Sequence, residues 1–113
     1  MIKVTILYPN TPGTHFDFDY YLKVHMPLSI ELLGPAMRSV TVERGVSPGA
    51  PWPDHAFAAI CSFVCDSQQA YEQAFFPHME RLQGDIPNYT DAQAIIQISE
   101  IEIEHSGANT VTA

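Results

Sequence analysis

Residues 16–28 read Phe-Asp-Phe-Asp-Tyr-Tyr-Leu-Lys-Val-His-Met-Pro-Leu. Asp17 is a short carboxylate that can accept from the free N–H groups of a helix start, so it reads as an N-cap. Phe16 stands just before it, placed to staple onto Tyr21 across the first turn. Tyr21 and His25 are four apart and share a helix face. Pro27 has no N–H, so the carbonyl of Lys23 loses its helical donor and a bend is expected there. Gly34-Pro35 stops the helix. A purely structural helix has little use for two phenols and an imidazole within two turns. A titratable ring at a bend, beside phenols, suits action on a small molecule.

Working outward, Ile2, Val4, Ile6 and Tyr8 alternate with Lys3, Thr5 and Leu7, which predicts a strand. Pro9-Asn10-Thr11-Pro12-Gly13 closes it as a turn. After the first helix, residues 38–46 alternate around Val40, Val42 and Arg44 and predict a second strand. The proline-rich run from Ser47 to Asp54 is a stiff loop. Residues 56–65 are nearly all apolar, as in a central strand. Ala56, Ala58, Ile60 and Val64 fall on one side of it; Phe57, Ala59, Cys61 and Phe63 fall on the other. Asp66 with Gln69 resembles a capping box opening a second helix. Tyr71, Ala74, Phe75, Met79 and Leu82 mark its buried stripe. Pro77 should kink or divide it, and Gly84 ends it. Residues 85–91 form a loop, and residues 93–103 a last strand rich in isoleucine.

The order is strand, helix, strand, strand, helix, strand. That predicts an α+β, ferredoxin-like βαββαβ fold: a four-stranded antiparallel sheet with both helices on one face. Residues 1–104 make one domain and residues 105–113 a loose tail. Two helices cover one face of such a sheet. The other face is expected to be apolar, which marks an interface or a ligand cavity. Two copies related by a twofold axis would seal it, giving a homodimer with a closed or nearly closed barrel between the protomers.

Thirteen acidic against five basic side chains give a formal net charge of −8. That balance argues against nucleic acid and anionic membranes, which both attract basic patches, so neither is expected as a partner. Residues 1–8 are too short and too alternating for a signal peptide, and no apolar run is long enough to cross a bilayer. Cys61 and Cys65 sit on one strand about 13 Å apart, too far for a disulfide, and free thiols fit a cytoplasmic location. The five histidines show neither His-x-His nor His-x-x-x-His, and there is no Cys-x-x-Cys. No metal and no cofactor is expected.

Three stretches resemble the EthD family of the dimeric α/β-barrel superfamily. They are Met1–Pro9; Phe16-Asp17-x-Asp19-Tyr20-Tyr21 with His25-Met26-Pro27-Leu28; and Phe76-Pro77-His78 with the run from Asp85 to Asp91 and Gln97 to Ile101. The resemblance covers residues 1 to about 103, while the loop at 47–55 and the tail lie outside it. It implies a ferredoxin-like protomer that dimerises through its sheet, and a link to bacterial breakdown of ethers, aromatics or lactones. It also places the family's histidine on His25.

His25 is the first catalytic candidate, as a base taking a proton from a weakly acidic C–H or phenol at the mouth of the cleft between sheet and helices. Its structural alternative is a brace for the Pro27 bend. Tyr21 and Tyr20 would assist, with only one expected to face the cavity; Tyr21 is equally readable as the staple partner of Phe16. Tyr8, His78, Trp52 and Phe63 are the substrate-binding candidates. Tyr8 would stand at the rim, or simply pack in its strand. His78 shares the stripe of the second helix and is equally readable as core. Trp52 is readable as a lid or as a wedge in the dimer seam.

The function expected is cofactor-independent oxidoreductase or isomerase chemistry on a hydrophobic aromatic, ether or lactone metabolite. The rival reading is a non-catalytic metabolite-binding or accessory protein with the same pocket.

Overall fold

The computed structural model describes residues 1–105, so all of the predicted tail except His105 lies outside the described residues. Four strands form one antiparallel sheet: β1 (Ile2–Pro9), β2 (Ser39–Arg44), β3 (Phe57–Cys65) and β4 (Ile95–Glu100). Their order in the sheet is β2-β3-β1-β4, the ferredoxin-like arrangement. Within the protomer the sheet is open, with β2 and β4 as its edges. The last strand is shorter than its isoleucine pattern suggested; pairing with β1 runs only from Ile2↔Glu100 to Leu7↔Ile95.

Register fixes the two faces. Val4 pairs with Phe63 and Ile98, and Ile6 with Cys61 and Ile96, so these point to the helices. Val4, Ala59, Cys61, Phe63 and Cys65 are buried there. The opposite face carries Lys3, Thr5 and Leu7 beside Ser62, Ile60, Gln97 and Ile95. It is therefore not the uniformly apolar surface expected. Leu7, Ile60 and Ile95 form an apolar band at one end, while Val64 stands among Lys3, Ser39, Thr41, Thr5, Ser62 and Gln97, which the period-two alternation places on the uncovered side.

The first helix runs over residues 18–33 in three segments. Phe18–Tyr20 is α-helical, Tyr21–His25 is a π-helical turn, and Met26–Leu33 is α-helical again. Asp17 caps it as expected, accepting from the Tyr20 N–H at 3.1 Å. The missing donor of Pro27 is absorbed not by a simple bend but by widening the turn before it. The Met26 N–H bonds the Tyr21 carbonyl five residues back. Such turns rotate the flanking side chains relative to an α-helix, and they cluster at functional sites. Replacing Asp17 with alanine is expected to cost about 1 kcal/mol, seen as a drop of about 4 °C in melting temperature.

The second helix is divided where Pro77 predicted, into Gln68–Phe75, a 3₁₀ turn Phe76–His78, and Met79–Gly84. Its cap is Ser67, which accepts from the Ala70 N–H at 3.0 Å, not Asp66. Asp66 instead takes two hydrogen bonds from the Arg38 guanidinium, at 2.8 and 3.0 Å. The 3₁₀ turn also breaks the helical register. Tyr71 and Leu82 stay buried, while Met79 on the predicted stripe is 41% exposed.

Residues 85–91 are tied back to the start of the first helix. The Asp17 N–H donates to the Tyr89 carbonyl at 2.7 Å, and the His15 N–H to Asp91 Oδ1 at 2.9 Å. Phe16 and Thr90 form an isolated antiparallel bridge. Together these bonds bring the loop after the second helix against the π turn.

Candidate active site

A cavity of about 70 Å³ lies between the sheet and the two helices. Its wall is apolar, with Ile6, Met26, Leu33, Met37, Phe63 and Phe75 among the lining residues. The titratable groups that line it are Tyr8, Tyr21, His25, Cys61 and Tyr71, beside the Ser29 hydroxyl and the Gln83 amide.

His25 is 7% exposed and sits at the end of the π turn. Its Nδ1 lies 2.9 Å from Asp85 Oδ2. A carboxylate only accepts, so Nδ1 carries the hydrogen and Nε2 of the neutral ring holds the lone pair. Nε2 has no hydrogen-bond partner among the described residues, yet no buried side-chain nitrogen or oxygen is left unpartnered. That nitrogen therefore keeps some accessible surface, on a ring that lines the cavity. Tyr21 stacks on the imidazole at 5.5 Å between centroids, and Tyr89 packs against it at 4.7 Å. The ring is held by one hydrogen bond and two aromatic walls.

Asp85 is the hub. Besides His25 it accepts from the Tyr20 hydroxyl at 2.6 Å and from Asn88 Nδ2 at 2.9 Å. Burial pushes its carboxyl up, but the hydrogen bonds from Tyr20, Asn88 and His25 outweigh that and hold it below its ordinary value. The carboxylate in turn pushes the Tyr20 phenol up. Behind the imidazole, the Tyr8 and Tyr89 hydroxyls lie 2.8 Å apart. Burial raises the phenols of Tyr8, Tyr21 and Tyr89, so all three stay protonated at neutral pH. Burial likewise pushes the Cys61 thiol up, which makes it a poor nucleophile.

The site gathers most of the residues the sequence singled out, but with different places. His25 is enclosed, not at a mouth. Tyr8 is 1% exposed and belongs to the core, not the rim, since its strand runs under the first helix. Both tyrosines of the pair serve the site: Tyr21 from inside, Tyr20 through Asp85. Tyr21 also packs on Phe16 at 4.9 Å, so the staple and the cavity wall are one side chain. Phe63 lines the cavity. His78 and Trp52 do not; His78 sits in the 3₁₀ turn, and Trp52 is 68% exposed on its loop. Asp85 and Tyr89 were missed as site residues. The available signal was the run Asp-Ile-Pro-Asn-Tyr, an acid and a phenol on a proline-stiffened turn. Among the described residues no group of three or more His, Cys, Asp or Glu side chains gathers as a metal site would need.

Comparison with known proteins shows the family and the fold. The family model for the EthD domain matches residues 14–93, which contain His25, Asp85 and Tyr89. An EthD-like protein from Ralstonia eutropha JMP134 is 42% identical, with 95% of this chain and 96% of that chain covered and a TM-score of 0.86. An ethyl tert-butyl ether D family protein from Bacillus halodurans C-125 shares the fold at 23% identity, 89% and 98% coverage and a TM-score of 0.62. A protein of Arabidopsis thaliana shares it at 11% identity, 93% and 99% coverage and a TM-score of 0.66. No curated protein matches the chain.

Proposed function

The chain belongs to the EthD family, and from that premise we propose that it is an acid–base catalyst acting on a hydrophobic small molecule. His25 is the base, Asp85 orients it, and Tyr20 holds Asp85 in place. The chemistry is of the cofactor-independent oxidoreductase or isomerase type, which begins by removing a proton from a substrate whose carbanion or phenolate is stabilised. The single observation that carries this reading is the His25–Asp85 contact at 2.9 Å on a ring that lines an apolar cavity. A positioned general base contributes about 10²–10⁴-fold to rate. The cavity is smaller than the roughly 150 Å³ that holds benzene, so an aromatic metabolite enters only as Met26 and Met37 shift their flexible side chains.

The test is deuterium exchange. The protein is incubated in heavy water with small neutral ketones and phenols, and isotope incorporation is read by mass spectrometry. The wild type is expected to accelerate exchange and His25→Ala to return it to the buffer rate. Equal rates for the two would leave a binding protein in place of a catalyst.

The active form is a homodimer. Leu7 is flanked across the strands by Ile60 and Ile95, an apolar row on the face the helices leave bare. A second copy against it turns two open sheets into one barrel. Sedimentation at micromolar concentration is expected to give a dimer; a monomer would remove this part of the reading. No helix among the described residues is long and apolar enough to cross a membrane. The free thiols of Cys61 and Cys65 support a cytoplasmic location.

A further inference from the structure

A base in an apolar cavity solves half of a deprotonation. The electron pair left behind needs a donor, and the cavity has no cation to supply one. None of Lys3, Lys23, Arg38, Arg44 and Arg81 lines it. Nor is the Ser29 hydroxyl available, since it donates to the His25 carbonyl at 2.9 Å.

The tyrosine pair behind the imidazole supplies what is missing. Tyr8 and Tyr89 have two hydroxyl protons between them, and their contact at 2.8 Å uses one. Tyr8 lines the cavity, whereas Tyr89 does not. With Tyr89 as the donor within the pair, the spare proton is that of Tyr8. The Tyr21 ring packs edge-on against Tyr8 at 5.8 Å between centroids and holds it in place. A hydroxyl that accepts from its neighbours becomes a stronger donor itself. The geometry is compact: a sphere of the cavity's volume is roughly 5 Å across, so His25 and Tyr8 both reach one small molecule.

We propose that Tyr8, backed by Tyr89, donates to the oxygen of a small neutral enolisable carbonyl compound while His25 removes its α-proton. This rests on the catalytic reading of His25. The α-C–H bond breaks, its proton goes to Nε2, and its electron pair moves into the substrate as an enolate. Nothing is oxidised. The enolate oxygen then faces the Tyr8 O–H and the carbon faces the imidazolium. Tyr8 touches the substrate; Tyr89 is a positioning residue. Neutral compounds are selected because the chain's charge of −8 and the cation-free wall both disfavour anions.

The probe is 2,4-pentanedione, whose enolate has its own ultraviolet band; like an aromatic ligand, it enters as Met26 and Met37 shift. Wild-type protein is expected to bind it as enolate at neutral pH. Tyr8→Phe, which removes only the oxygen, should weaken enolate binding at least tenfold. Tyr89→Phe keeps the Tyr8 donor but removes its support, and should cost several-fold; a purely structural pair would lose equally from either side. If Tyr8→Phe does not fold, Tyr89→Phe alone decides, and an unchanged band there overturns the proposal. So does an unchanged band in Tyr8→Phe, or no enolate band in the wild type. If His25→Ala abolishes deuterium exchange while Tyr8→Phe binds enolate like wild type, the oxygen donor is wrong and the base stands. If His25→Ala exchanges like wild type, the base itself is wrong.

Discussion

Asp85→Asn is expected to lower proton-transfer activity by about 10²–10⁴-fold while leaving the protein folded. The substitution keeps the size of the side chain and removes its charge. Two donors now meet the carboxylate oxygen that faces Tyr20 and Asn88, and the His25 Nδ1–H meets the other oxygen. An amide has one acceptor oxygen and one NH₂ group. If its oxygen stays with Tyr20 and Asn88, its NH₂ faces Nδ1. The imidazole must then present Nδ1 as acceptor, which moves the ring proton to Nε2 and leaves nothing to take a proton in the cavity. If the amide turns round, two donors lose their partner and the loop after Gly84 loosens. The first result disables His25 without touching it; the second keeps the tautomer but unties the loop that holds the imidazole in place. Tyr20→Phe removes one of three bonds to Asp85 and should cost far less, about tenfold or below. Measuring exchange for both variants separates orientation of the imidazole from mere packing of the loop.

The same cluster gives the protein an acid limb. Asp85 titrates lower in the folded chain than its ordinary value, so the unfolded chain takes up the proton first as pH falls. The stability from this carboxylate is complete above the unfolded value of about 3.9 and is lost as pH falls through the lower folded one. Thermal melts of wild type and Asp85→Asn should therefore differ most above pH 4 and converge in more acidic buffer.

How far the fold was legible follows from which signals are local. The strands were readable because β1 and β3 alternate or run apolar over their whole length, and the helix stops were readable at Gly34-Pro35 and Gly84. The second cap was misread because Asp66 and Ser67 are both good caps, and only the tertiary position of Arg38 decides between them. The open face was overestimated for a similar reason: residues 56–65 are apolar enough to hide Ser62, whose exposure depends on register alone. At the site, Tyr21 and His25 were legible because four residues along a helix fix their neighbourhood. Asp85 and Tyr89 lie some sixty residues further on. Their arrival depends on the bridge between Phe16 and Thr90 and on the Asp17–Tyr89 hydrogen bond, which no local pattern encodes.

Gly45→Ala is the substitution expected to cost the most stability, about 3 kcal/mol and on the order of 10 °C in melting temperature. The glycine follows β2, where its N–H bonds the Ala58 carbonyl at 2.9 Å. A Cβ there would stand 2.1 Å from the Phe57 carbonyl oxygen and 2.5 Å from the His55 ring. The first of these is backbone of the neighbouring strand and cannot swing aside, so the loop from residue 45 to 56 must lift or the β2–β3 pairing must part. Gly34 makes the contrast. It has φ +53 but nothing within 4 Å of a Cβ, so alanine there meets only backbone strain of about 1–2 kcal/mol. No residue of the 45–56 loop lines the cavity. Gly45→Ala should thus melt early while exchanging deuterium at the wild-type rate below its transition, the inverse of Asp85→Asn. Loss of exchange in the folded Gly45→Ala protein would mean that the loop controls the cavity from a distance, and the assignment of chemistry to His25 and Asp85 alone would fail.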